Sequence, residues 1–205
     1  MIRTLVLGSG ALALGLGLAA GSGVAVAGAA KTPVQMTGPI SCSAIAAVAF
    51  SPSLTNAGSG SGMVSLVAKV AGCSGAGSVQ GGVTLTGGKL VATGALPPTS
   101  CGAILGGSSL PTMSGTVTWK GSGGHVVSSM VTITGADLFY NAGADTLSAY
   151  VTNVSISSGS YSGEHMKFSN LASNKDAYKV TSVCGTSGIR SVKFGTGTGV
   201  ASVGA

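Results

Sequence analysis

Apolar and polar residues alternate with a period of two along most of the chain, and this alternation constrains the fold more than any other feature. Val64, Leu66, Ala68 and Val70 lie on one side of such a run, and Trp119 lies in another. Neighbouring side chains of a β-strand point to opposite faces, so each run predicts a strand with one buried face. Similar runs occur at 117–120, 131–134, 150–156, 165–168 and 191–194. The sequence therefore predicts an all-β protein.

Turn-forming residues separate these runs at short intervals, as is typical of β-sandwiches and β-barrels. Glycine, proline, asparagine and serine are concentrated at 56–60, 72–77, 87–88, 97–98, 106–107, 121–124, 141–143 and 157–160. Only Ser100 to Leu105 has a helical pattern. We expect an antiparallel β-sandwich, immunoglobulin-like or related, with about eight to ten short strands. A small β-barrel is the alternative.

The first residues have the features of a secretory signal peptide. Arg3 supplies a basic start, the stretch from Thr4 to Leu18 is apolar, and Ala27 and Ala29 form an A-x-A cleavage site. We predict a signal peptide at 1–29 and a single secreted β-domain at 30–205, and an uncleaved anchor helix is the alternative. After cleavage, no later apolar run is long enough for a membrane-spanning helix.

Four cysteines follow the predicted signal peptide, and an even number in an oxidising compartment predicts two disulfides. The turn at 56–58 lies midway between Cys42 and Cys73, so a hairpin would place these two opposite each other. Cys101 would then pair with Cys184, although four cysteines allow three connectivities. The spacings do not match a zinc site, and we predict no metal ion and no cofactor.

The chain has few charges, with a formal net charge of +6 at pH 7. Its basic residues are dispersed rather than clustered, and after the predicted signal peptide only Arg190 is an arginine. Nucleic-acid-binding proteins usually show a clustered, arginine-rich footprint, so this class is disfavoured. A weak, salt-sensitive attraction to an anionic cell envelope fits the charge better.

Candidate catalytic groups are sparse. Glu164 and His165 are adjacent, but alternation on a strand would point them to opposite faces and disfavour an acid-base dyad. A Ser-His-Asp arrangement would draw on His125, His165, Asp137, Asp145 and Asp176. The chain contains no G-x-S-x-G motif that would indicate a nucleophilic serine. We assign no catalytic residue.

Two further groups of residues could bind a ligand. Asp137, Asn141 and Asp145 could supply oxygens to calcium, but a turn flanked by two acids explains them more simply. Aromatic residues could line a sugar- or peptide-binding face, since they offer large and rigid contact areas. We expect Trp119 in the core and the tyrosines at the surface, namely Tyr140, Tyr150, Tyr161 and Tyr178.

The order of features resembles that of a group of small secreted proteins of actinobacteria. The resemblance is carried by the four cysteines and by the segments 50–55, 100–105, 115–119, 159–163 and 194–197. It implies the same cysteine pairing and a β-sandwich, and no catalytic residue. The scarcity of titratable groups favours an exported, non-enzymatic protein with a binding or structural role at the cell envelope or outside the cell. A small secreted hydrolase is the alternative.

Overall fold

The computed structural model of the chain describes residues 31–173, 177–195 and 198–204, without the side chains of Tyr178, Lys179 and Thr181. The predicted signal peptide, 1–29, and Asp176 lie outside the described residues. The strands are β1 Ile40–Leu54, β2 Gly62–Ser74, β3 Val79–Gln80, β4 Val83–Leu96, β5 Gly106–Ser109, β6 Met113–Gly121, β7 Ser129–Asn141, β8 Thr146–Ser158, β9 His165–Ser173, β10 Ile189–Phe194 and β11 Val200–Val203. The helices are α1 Cys101–Leu105 and α2 Ala177–Cys184.

The long strands close into an antiparallel β-barrel of eight strands. Around the barrel the order is β1, β11, β9, β8, β7, β6, β4 and β2, and β2 pairs again with β1. β10 and β11 share one edge of β1, because β10 pairs with its second half and β11 with its first four residues. The small strands β3 and β5 are additions that pair with β4 and β7.

The prediction of an all-β fold is confirmed, whereas the prediction of a sandwich is wrong and its barrel alternative is right. A sandwich has two sheets with free edges, but here β1 is paired along both of its edges, by β2 on one side and by β10 and β11 on the other. Closure of the sheet removes the edges. The strands are also longer than expected, up to 15 residues in β1.

Several glycines that predicted turns lie inside strands instead. Gly87 and Gly88 belong to β4, where a Cβ atom at Gly87 would lie 2.3 Å from the carbonyl oxygen of Val70 on β2. Only a residue without a side chain allows these two strands to approach so closely. At Gly88, a Cβ atom would lie 3.0 Å from the indole ring of Trp119. These glycines allow close packing within the wall rather than ending a strand.

One end of the barrel is closed by the segment 31–39, which we call the strap. Val34 N donates to His125 O at 2.9 Å, and Val127 N donates to Val34 O, which ties the strap to the β6–β7 loop. Tyr161 N donates to Met36 O at 2.7 Å, which ties it to the β8–β9 loop. Met36 is completely buried. The strap therefore completes the core at this end.

The opposite end carries both helices and the disulfide that closes the longer loop, between Cys101 and Cys184. α1 lies within the stretch from Ser100 to Leu105 whose pattern is helical, and the Ser100 hydroxyl accepts a hydrogen bond from Ala103 N at 3.3 Å. Cys184 ends α2. Tertiary contacts override the strand preference of β-branched residues in this helix. No helix among the described residues is long and apolar enough to cross a membrane.

Two disulfides join the described cysteines in the pairs that the sequence favoured. Cys42 pairs with Cys73 across β1 and β2, and Cys101 pairs with Cys184 between the two helices. Gly72, in the left-handed region with φ of +60°, lies where the β1–β2 register shifts by one residue. The shift brings Cys73 opposite Cys42. Two disulfides fit an oxidising compartment.

Candidate functional site

The Glu164–His165 pair lies where the chain enters β9. His165 is exposed and pairs with Ser155 of β8, while the next residue, Met166, is buried. Glu164 precedes the first residue of β9, so strand alternation holds for His165 and Met166 and does not fix the direction of Glu164.

The histidines and the two described aspartates, Asp137 and Asp145, occupy different ends of the barrel. His125 and His165 are exposed at the strap end. His165 pairs with Ser155 and Asp137 pairs with Tyr150, so five residues of β8 separate them, or about 16 Å at ~3.3 Å per residue. Among the described residues no group of three or more His, Cys, Asp or Glu side chains could hold a metal ion.

The acidic segment between β7 and β8 is a turn. The Asn141 side-chain oxygen accepts a hydrogen bond from Ala144 N at 3.2 Å, and the Tyr140 hydroxyl donates to Asp145 Oδ1 at 3.1 Å. The hydrogen bond to Asp145, with a smaller contribution from desolvation, raises the pKa of Tyr140 above its usual value. Asp137 lies back on β7, away from these oxygens. The turn explanation accounts for these residues.

Trp119 and Tyr161 form the buried polar centre of the strap end. The Trp119 indole N–H donates to Ser129 Oγ at 2.8 Å, and Ser129 Oγ donates to the Ser160 carbonyl oxygen. The two aromatic rings meet edge to face, with 5.1 Å between their centroids. Burial raises the pKa of Tyr161 to about 12. These buried serines hold the core together and are not exposed nucleophiles.

The expectation about aromatic residues is therefore only partly right. Trp119 is in the core as expected, but Tyr161 is completely buried instead of exposed. Tyr150 is 50% exposed on the outer wall, and Tyr140 is partly buried. The side chain of Tyr178 lies outside the described part of the chain.

The outer wall of the first half of the barrel carries lysines that face each other. Lys69 of β2 and Lys89 of β4 are direct cross-strand partners, and both are exposed. Lys120 of β6 lies diagonally from Lys89, because Lys89 pairs with Thr118 and Gly87 pairs with Lys120. Like charges placed directly opposite on neighbouring strands destabilise a sheet. The fold thus holds repelling cations close together.

Apolar side chains lie in the adjoining row of the same outer surface. Val67 and Val91 are direct cross-strand partners, two residues along from the two lysines. Ile45, which pairs with Lys69, is 49% exposed. We call this surface the lysine face, and define it by Lys69, Lys89, Lys120, Lys193, Ile45, Ala47, Val67 and Val91.

The lysine face also contains a depression of about 350 Å³ beside β1. Ile45, Ala47 and Val67 supply apolar walls, and Lys69 and Lys193 lie at its sides. It lies beside the end of β10, where Phe194 pairs with Ala46 of β1. A surface with this combination can contact an apolar group and an anionic group together.

Charge is segregated around the barrel. Strands β1, β2, β4, β6 and β10 carry Lys69, Lys89, Lys120, Arg190 and Lys193 and contain no acid. The described acids are elsewhere, with Asp137 on β7, Asp145 after β7 and Glu164 before β9. Among the described residues, the strands that form the lysine face carry bases and no acid.

Sequence reasoning missed this face because its lysines lie far apart in the chain. Lys69, Lys89 and Lys120 are at intervals of 20 residues or more, and only strand register brings them together. A hairpin register inferred for each pair of strands could have revealed the lysine pair.

Comparison with models of protein families, with curated proteins and with solved structures finds no match to this chain.

Proposed function

We propose that this chain is an exported, non-enzymatic β-barrel protein that binds the anionic lipid surface of a cell envelope through its lysine face. The observation that carries the proposal is the direct pairing of Lys69 with Lys89 beside the direct pairing of Val67 with Val91. An anionic headgroup near the two lysines relieves their repulsion. Export is supported by the signal-peptide pattern at 1–29 and by two disulfides.

Membrane electrostatics give the expected strength of binding. A lysine close to an anionic bilayer contributes about 1 kcal/mol of attraction. Lys69, Lys89 and Lys120 together therefore contribute about 3 kcal/mol, which supports weak and reversible association. A binding free energy of this size is consistent with the small number of charges in the chain.

The exposed apolar residues favour a lipid surface over a water-soluble polyanion. The free energy falls when the exposed Ile45 and Val91 and the half-buried Val67 leave water for the boundary between headgroups and acyl chains. Lysine side chains can extend their charged ends to the headgroups while their aliphatic parts cover apolar surface. A hydrophilic polymer would use the lysines and leave the apolar row in water.

The hydrolase alternative has less support among the described residues. His125 and His165 are exposed, and Asp137 is about 16 Å along the strands from His165. The buried serines Ser129 and Ser160 take part in the hydrogen-bond network at the strap end. His165 has a serine, Ser155, as its cross-strand partner, but Asp137 lies too far along β8 to orient this histidine as the acid of a triad would.

Vesicle sedimentation tests the proposal. We expect the purified protein to sediment with vesicles of phosphatidylglycerol and phosphatidylcholine, and to remain in the supernatant with phosphatidylcholine alone. Lys89→Gln should lower the partition coefficient about fivefold, the equivalent of about 1 kcal/mol. Lys167→Gln is the matched control, because Lys167 is an exposed strand lysine on β9 and its loss changes the net charge equally.

Two outcomes would contradict the proposal. The first is equal binding to anionic and zwitterionic vesicles. The second is an equal loss of binding for Lys89→Gln and Lys167→Gln, which would show that net charge acts without a defined face. Dextran sulfate, a soluble polyanion, tests whether charge alone accounts for the binding. If the protein binds dextran sulfate as tightly as it binds anionic vesicles, the apolar row has no role.

A further inference from the structure

Two exposed aromatic side chains lie side by side on the outer surface of β7 and β8, which carry none of the residues of the lysine face. Phe139 of β7 is 43% exposed and Tyr150 of β8 is 50% exposed. Phe139 pairs with Ser148, and Asp137 pairs with Tyr150, so the two rings are diagonal neighbours on one surface. Diagonal neighbours are about 7–8 Å apart, within reach of aromatic side chains. One ligand can contact both rings.

Polar groups alternate with these rings. Ser148 and Asp137 are the direct partners of Phe139 and Tyr150. Asn170 of β9 has a left-handed backbone with φ of +55°, and it lines a depression of about 470 Å³ together with Ser148 and Tyr150. We define the aromatic patch by Phe139, Tyr150, Asp137, Ser148 and Asn170.

Asp137 has an unused acceptor in this patch. Its Oδ1 atom is buried and has no hydrogen-bond partner among the described residues. Buried polar atoms in folded proteins are nearly always hydrogen-bonded, so an unpaired one requires an explanation. Neighbouring strands limit the choice of partner, because Asp137 lies between Ser109 of β5 and Tyr150 of β8. The Asp137 side chain as a whole is only half-buried, so its carboxylate lies close enough to the surface of the patch to accept a hydrogen bond from a ligand seated against Tyr150.

We propose that the aromatic patch is a binding site for a neutral glycan. A sugar ring has an apolar face that packs on an aromatic ring, and hydroxyl groups around its edge that donate and accept hydrogen bonds. The patch offers both, since the two rings supply the platforms and Asp137, Ser148 and Asn170 supply the polar partners. The carboxylate of Asp137 disfavours acidic sugars, because like charges repel.

A peptide is the competing ligand for such a surface, and the backbone geometry disfavours it. Peptides usually bind a sheet by adding a strand to a free edge. β7 is paired by β6, β5 and β8, and β8 is paired by β7 and β9, so neither strand has a long free edge. The patch is a face, and it presents side chains rather than backbone groups.

Affinity electrophoresis in native gels tests this site. The protein is run toward the cathode in gels that contain one neutral polysaccharide each, namely β-glucan, mannan, xylan or arabinogalactan. We expect at least one polysaccharide to retard the protein. Tyr150→Ala and Phe139→Ala should each raise the dissociation constant from the retarding polysaccharide at least tenfold, and Asp137→Asn should raise it several-fold.

The controls separate loss of a contact from loss of the fold. Met130→Ala is the matched variant, since Met130 is 52% exposed on β7 at the other end of the strand, and it should keep full binding. Tyr150→Phe, which keeps the ring, should bind better than Tyr150→Ala. Equal mobility of the variants that keep the net charge shows in plain gels that they fold. Asp137→Asn loses one negative charge and is compared with its own mobility in a plain gel, and its fold is checked by circular dichroism.

The proposal is overturned if none of the four polysaccharides retards the protein. It is also overturned if Tyr150→Ala binds as well as the unmodified protein, or if Met130→Ala loses as much binding as Phe139→Ala. Lys89→Gln should leave glycan binding unchanged, so the result does not depend on the outcome for the lysine face.

Discussion

The two halves of the barrel wall are alike inside and different outside. On both halves the strands bury alternate side chains, as β2 and β8 illustrate. On the outside, β1, β2, β4 and β6 present lysines and aliphatic residues, whereas β7 and β8 present two aromatic rings around a carboxylate. The inner face is fixed by packing, and the outer face is free to carry different binding chemistry.

This difference teaches where to look for function in a packed barrel. The interior of an eight-stranded barrel is just wide enough for side chains to fill it. The strap closes one end, and α1 and α2 lie at the other. Binding chemistry is thus expected on the wall, where strand register decides which side chains meet. The two faces should respond differently to the same change in conditions, and three predictions follow that difference.

Salt should separate the two faces most strongly. We expect a rise from about 50 mM to about 500 mM NaCl to lower binding to anionic vesicles more than tenfold, because salt screens exposed charges beyond a few ångströms. Glycan binding through uncharged contacts should change less than twofold. Vesicle sedimentation and affinity electrophoresis at both salt concentrations provide the measurement. Vesicle binding that resists salt would show that the lysines contribute little.

Removal of the apolar row should have the next largest effect. The double variant Val67→Thr and Val91→Thr should lower partitioning to anionic vesicles several-fold, because the apolar contact with the lipid is lost while the lysines remain. Threonine is β-branched and suits a strand, so the fold is retained. Val79→Thr is the control, since Val79 is exposed on β3, outside the lysine face. An unchanged partition coefficient in the double variant would show that only the lysines of the face contribute to lipid binding.

The smallest effect should be on stability. Lys89→Thr removes the like-charge pair with Lys69 and should raise the free energy of unfolding by about 0.2–1 kcal/mol. Lys167→Thr makes the same chemical change on β9, where Lys167 pairs with Ser202. It should raise the free energy of unfolding by less than Lys89→Thr does. Urea unfolding of the two variants at low salt gives the comparison. A larger gain for Lys167→Thr would show that Lys69 and Lys89 do not repel significantly.

Local pattern in the sequence predicted the local structure. Alternation identified the strands around Val64–Val70 and Val117–Trp119, and the turn at 56–58 placed Cys42 opposite Cys73. The short helix within Ser100 to Leu105 was also predicted, since this stretch has the only helical pattern. These features depend on residues that are close in the chain.

Features set by distant contacts could not be predicted in the same way. A sandwich and a barrel have the same alternation, and they differ only in whether β1 pairs with both β2 and β11. Gly87 suggested a turn because glycine ends many strands, yet here it permits the close approach of β2. Both candidate faces likewise depend on register, which brings Lys69 beside Lys89 and Phe139 beside Tyr150.

Lysine footprinting tests the central claim, that the lysine face is the surface that meets anionic lipid. The protein is acetylated with the N-hydroxysuccinimide ester of acetic acid, with and without phosphatidylglycerol vesicles, and each lysine is quantified by mass spectrometry. We predict that the vesicles slow the acetylation of Lys69 and Lys89 at least fivefold and leave that of Lys167 unchanged. Equal protection of all three lysines, or protection of Lys167 alone, would contradict the account.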